Sequence, residues 1–86
     1  MGDVDDSDQP EAPAAAASWD AGELGCGELV VELRFRLAEL LPGDIFHLVA
    51  RDPGAREDLP AWCRMTRHSL RHAAHPHYFL ERRRDP

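Results

Sequence analysis

The stretch SWDAGELGCGELVVELRFRLAELL, residues 18–41, decides the fold. Trp19-Asp20-Ala21 is short and strand-like, Gly22 and Gly25 bracket a turn, and Cys26 stands where an apolar-rich helix begins. From about Gly27 to Leu41 the residues Leu29, Val30, Leu33, Leu37, Leu40 and Leu41 recur at helical spacing on one face. Glu28, Glu32, Arg36 and Glu39 hold the opposite side, with Glu32 and Arg36 placed as an i,i+4 ion pair. Val31, Phe35 and Ala38 form a second apolar stripe, read as the seat of a neighbouring helix rather than as a docking surface. Pro42-Gly43 stops the helix. A thiol at a helix start lies beside the partial positive charge of unpaired N–H groups, which favours thiolate over thiol. Many cysteines so placed are inert, so position alone does not make Cys26 a site.

Working outward, Asp44 to Arg51 reads as a strand. Its Ile-Phe-His-Leu-Val-Ala run is almost wholly apolar, as a central strand covered on at least one face requires. His47 within it is read as a satisfied polar residue on the open face, not as a ligand. Asp52-Pro53-Gly54 is a turn, and a second helix runs to about His68. Two starts suit it: Asp52 as cap with Pro53 at the first helical position, or Asp58 as cap with the chain rewound around Pro60. Leu59, Trp62, Cys63 and Thr66 share a face, which makes Cys63 a small buried apolar residue. Ser69–His75 and His77–Arg83 read as two strands joined near Pro76, with Tyr78 and Leu80 alternating with Phe79 and Glu81. The order is β-α-β-α-β-β. It specifies an α/β (α+β) two-layer sandwich, two helices covering one face of a four-stranded mixed sheet.

With 86 residues and 43% hydrophobic content there is room for one small domain with one core. Residues 1–17 are acidic and then Ala- and Pro-rich, expected as a disordered tail; 18–86 form the domain. The start lacks a basic and apolar leader, and no apolar run approaches the roughly 20 residues that span a bilayer. A cytoplasmic protein without a membrane segment is expected, with both cysteines reduced. The net charge of −6 is uneven: five acids and no base in 1–17, seven acids and three Arg in 18–55, four acids and seven Arg in 56–86. An acidic front and a basic back suit orientation on a protein partner, although an ordinary solvated surface looks the same. Nucleic-acid binding through Arg64, Arg67, Arg71 and Arg82-Arg83-Arg84 is not expected, because the overall charge is negative and no aromatic stacking platform is evident. His68, His72, His75 and His77 cluster in sequence, but alternation on strands divides them between faces and no Cys-x-x-Cys pair anchors them, so no metal site is expected.

Read in order, Asp20, Leu24, Cys26, Glu28, Pro42-Gly43, Asp52-Pro53, Asp58-Leu59-Pro60, Trp62-Cys63 and His68-Ser69-Leu70 resemble the TusA/SirA family of small sulfur-carrier proteins. The resemblance runs from Trp19 to about Arg83 and implies the same two-layer sandwich. It also implies a role: Cys26 takes a sulfane sulfur as a persulfide from a cysteine desulfurase or rhodanese-like donor and hands it to an acceptor protein. The destinations it implies are tRNA thiolation, sulfur oxidation or cofactor assembly. No cofactor is implied, and a monomer is expected. Asp20 and Cys63 are structural in this reading.

The chain departs from the family's Cys-Pro-x-Pro pattern, carrying Gly27 and Leu29 in place of the prolines and Glu23 in place of a glycine three before the cysteine. Gly27 removes the stiffness of a first-turn proline and restores an N–H. Glu23 and Glu28 place negative charge near the thiol and are expected to tune it by raising its pKa. The alternative expectation is a non-catalytic interaction module of the same fold that has lost sulfur transfer.

Overall fold

The computed structural model describes residues 13–84. The order is β1 (Ala17–Asp20), α1 (Cys26–Ala38), β2 (Ile45–Val49), α2 (Ala55–Thr66), β3 (Ser69–Ala74) and β4 (His77–Glu81). This is the expected β-α-β-α-β-β sequence, with slightly shorter elements. The acidic part of the expected tail lies outside the described residues, while Ala17, grouped with that tail from the sequence, is the first residue of β1. Among the described residues no helix is long and apolar enough to cross a membrane.

The strands form one sheet in the order β1-β2-β4-β3. β1 pairs with β2 in parallel, Trp19 opposite Leu48, as a helical crossover demands. The other pairs are antiparallel: β2 with β4 sets Phe46 against Leu80 and Leu48 against Tyr78, and β3 with β4 sets Leu70 against Leu80. Period-two alternation puts Phe46, Leu48, Tyr78 and Leu80 on one face, each at most 2% exposed. The helices lie on that face. Leu29, Leu33 and Leu37 of α1 and Ala55 and Leu59 of α2 are wholly buried against it, with Trp62 and Cys63 nearly so.

The apolar stripe of α1 is narrower than its sequence suggests. Val30 and Leu40 are only partly buried and Leu41 is 71% exposed. The helix stops at Ala38 rather than Leu41 because its last bonds tighten to i→i−3, Glu39 N–H to Arg36 O and Leu40 N–H to Leu37 O. Asp44 then holds the turn, its carboxylate accepting the Leu41 N–H at 3.1 Å, while Gly43 takes a left-handed φ of 90°. The expected packing of Val31, Phe35 and Ala38 against a neighbouring helix does not occur. Val31 and Phe35 are 55% and 56% exposed, since α2 meets α1 along the Val30 side instead.

Neither candidate start of α2 is the one used. The helix begins at Ala55 with Gly54 at its cap, and Asp52 holds the preceding turn by accepting the Gly54 N–H at 3.1 Å. Pro60 is accommodated inside the helix. α2 ends at Thr66, where Arg67 turns left-handed at φ 71°. His47 lies on the helix-free face as expected, half-buried, stacked on Phe79 and hydrogen-bonded ring to ring with His77 at 2.9 Å.

Candidate functional site

Cys26 owes its position to the turn that leads out of β1. The Asp20 carboxylate accepts the Gly22 N–H at 2.8 Å and the Arg51 guanidinium at 2.6 Å, and the Arg51 N–H reaches back to the Gly22 carbonyl. The Gly22 N–H first, and Arg51 next, hold the Asp20 carboxyl below its ordinary range. These bonds pin the turn across the end of β2. Gly25 is extended, its carbonyl accepts the Leu29 N–H at 2.9 Å, and Cys26 becomes the first helical residue. The thiol therefore sits at a helix N-terminus, half-buried.

Its electrostatics are not those the helix start alone would give. The Sγ–H donates to Asp52 Oδ2 at 3.3 Å, across from the β2–α2 turn. Burial is the largest influence on the thiol, the Asp52 bond the next, and Asp58 of α2 adds in the same direction; together they push its pKa up to about 12. A helix terminus supplies about 0.3–1 kcal/mol to a nearby anion. That is less than the ~1.4 kcal/mol of a single pKa unit, so the carboxylates and burial win. The expected bias toward thiolate is corrected accordingly: the free chain holds Cys26 as a hydrogen-bonded thiol.

The sulfur opens onto a groove of about 320 Å³ lined by Cys26, Gly27, Val30, Asp58, Ala61, Trp62 and Met65. The first turn of α1 forms one wall. Positions 58, 61, 62 and 65 of α2, at helical spacing, form the other. Apart from the thiol and Asp58 the lining side chains are apolar, and Met65 at the far end is 75% exposed. The arrangement offers a sulfur atom that a macromolecular segment can reach, its S–H already hydrogen-bonded to a carboxylate.

A family model described as Sulfurtransferase TusA matches residues 18–79. The chain belongs to the TusA family. Within it, the chain is 34% identical over 61 residues to the sulfur carrier protein TusA of Pseudomonas fluorescens (strain SBW25), covering 71% of this chain and 74% of that protein. It is 37% identical over 54 residues to the proteins of the same name from Pseudomonas aeruginosa (strain LESB58) and Pseudomonas entomophila (strain L48), covering 63% of this chain and 68% of each relative. The element order read from the sequence is the one the structure shows.

Of the residues singled out from the sequence, Cys26 and Gly27 line the groove, and Asp20 braces the turn before it. Glu23 and Glu28 are exposed, and the carboxylates that bear on the thiol are Asp52 and Asp58. Cys63 is 3% exposed inside the core, where burial pushes its thiol up to about 11. The histidines scatter: His68 stacks on Trp62, His72 meets Phe79, His75 bonds the Tyr78 hydroxyl, and His77 meets His47. Several arginines of the basic back are structural, Arg82 donating to the Leu37 carbonyl, Arg83 to the Thr66 carbonyl, and Arg71 pairing with Glu81. Sequence reasoning missed Asp52 and Asp58 as partners of the thiol and Met65 as a groove residue. The signal for Asp52 was present in the Asp-Pro turn, but nothing in sequence spacing says that residue 52 lies against residue 26.

Proposed function

We propose that this chain carries sulfur as a persulfide on Cys26 and relays it between two proteins. The observation that supports the reading most is the placement of the Cys26 thiol, half-buried at the mouth of a groove and hydrogen-bonded to Asp52, in a chain of the TusA family. The donor is a protein persulfide, of the kind a cysteine desulfurase or rhodanese-like protein forms, and the acceptor is a second protein.

The step balances without an external oxidant. The Cys26 sulfur attacks the outer sulfur of the donor's Cys–S–SH. A new Sγ–S bond forms, the donor's S–S bond breaks, and its inner sulfur leaves with the bonding pair as a thiolate. The Cys26 proton, held in the Sγ–H bond to Asp52 Oδ2, ends on the departing thiolate. Repeating the exchange with an acceptor thiol returns Cys26 to its starting state. No cofactor enters either step.

The test is intact-mass analysis after incubation with a cysteine desulfurase and cysteine. A gain of about 32 Da, one sulfur atom, is expected on the wild type and not on Cys26→Ser. An unmodified wild type, or an equal gain on the variant, overturns the reading. A second reading, an interaction module without sulfur transfer, is favoured by the exposed Val31 and Phe35 on α1. It requires that partner capture survive in Cys26→Ala while the adduct is absent from the wild type.

A further inference from the structure

A groove with apolar walls and carboxylates at its reactive end selects its occupant by charge. Asp58 lines the groove beside the thiol, and Asp52 accepts the thiol hydrogen bond; the two carboxylates converge beside Gly54 at the head of α2. The groups that bear on the thiol from the packed elements are Asp52 on the β2–α2 turn, Asp58 on α2 and the neutral Tyr78 hydroxyl on β4, which is tied to His75. None is a cation. A nucleophile beside two carboxylates is reached poorly by an anionic segment and favourably by a cationic one, and the low-dielectric groove walls strengthen both effects. We propose that the groove between α1 and α2 docks an apolar segment of the sulfur-donating partner that carries a Lys or Arg beside its persulfide, and that Asp52 and Asp58 are the residues that select it. The cation draws the two carboxylates into ion pairs and so frees Cys26 to ionise at the moment of transfer. In the absence of that partner the thiol stays protonated and guarded from small anionic electrophiles.

This rests on the carrier reading for the identity of the partner, but its test does not use sulfur transfer. Full-length chain is treated with three methanethiosulfonates: a methyl reagent, an ethyl(trimethylammonium) reagent and an ethylsulfonate reagent. In each case the Cys26 sulfur attacks the sulfenyl sulfur, a mixed disulfide forms and methanesulfinate leaves. Rates at Cys26 are read by peptide mass mapping and divided by those of 2-mercaptoethanol, which removes the reagents' intrinsic differences. The cationic reagent is expected to react at least about tenfold faster than the anionic one. Asp52→Asn and Asp58→Asn are each expected to shrink that ratio and to speed the neutral reagent, and the double variant to bring the ratio near one. Equal rates for the charged reagents, or a ratio unmoved by both substitutions, overturns the proposal. A ratio that falls with rising protein concentration, alongside a larger species in gel filtration, makes the occupant a second copy supplying its arginines and also overturns it. A charge ratio that holds while the 32 Da adduct fails leaves the gate standing and removes the carrier reading. The opposite pair of results removes the gate alone.

Discussion

At the scale of single residues, Cys26 and Cys63 are both thiols with raised pKa values, but for different reasons. Cys63 is raised by burial alone, whereas Cys26 remains partly accessible and is raised by burial together with Asp52 and Asp58. Alkylation should separate the two. With iodoacetamide, Cys26 should react first, and its rate should climb about tenfold per pH unit from pH 7 through pH 10. The thiolate is a minor species throughout that range when the pKa is about 12. An ordinary cysteine levels off once pH passes its value of about 8.5. A plateau for Cys26 below pH 9 would contradict the carboxylate contacts. Composition and spacing could place a cysteine at a helix start. They could not say that an aspartate 26 residues further on accepts its proton, because that contact is made by folding two separate turns together.

At the scale of elements, the first turn of α1 carries a glycine. Gly27 stands in the first turn, exposed, and a Cβ built there meets nothing within 4 Å. Gly27→Ala removes unfolded-state freedom at no steric cost and should stabilise the chain by about 0.4–1 kcal/mol. That corresponds to a rise in Tm of several degrees, as a chain this small shifts ~4–8 °C per kcal/mol. A fall in Tm would mean that Gly27 is not in ordinary helical conformation. The opposite end of α1 teaches a related lesson. Leu40 and Leu41 continue the apolar periodicity past the last helical residue, Ala38, so the pattern overran the hydrogen bonds. Periodicity reports which face is apolar; Asp44 and Gly43 decide where the helix gives way to a turn. The Val31–Phe35 stripe misled for the same reason, since hydrophobicity at helical spacing does not say whether a neighbour is there.

At the scale of the whole molecule, stability rests on one layer of side chains between the sheet and the two helices. Leu33 lies at its centre, fully buried, and Leu33→Ala should cost about 2–5 kcal/mol. Leu41, 71% exposed, is its control, and Leu41→Ala should stay within about 0.5 kcal/mol. Urea unfolding monitored by far-UV circular dichroism checks both; comparable midpoints for the two variants would refute the assignment of the core. By itself the sequence determined the element order, the Leu29, Leu33 and Leu37 stripe that α1 buries, the open-face position of His47 on β2, and the cysteine at the head of α1. Those features follow from local periodicity, turn chemistry and the need to bury apolar surface. Only the tertiary structure decided the strand order β1-β2-β4-β3, the groove between α1 and α2, and the protonated state of Cys26. Each of these depends on distances between residues far apart in the chain, and a carboxylate acts on a thiol only after packing has brought them within a few ångströms.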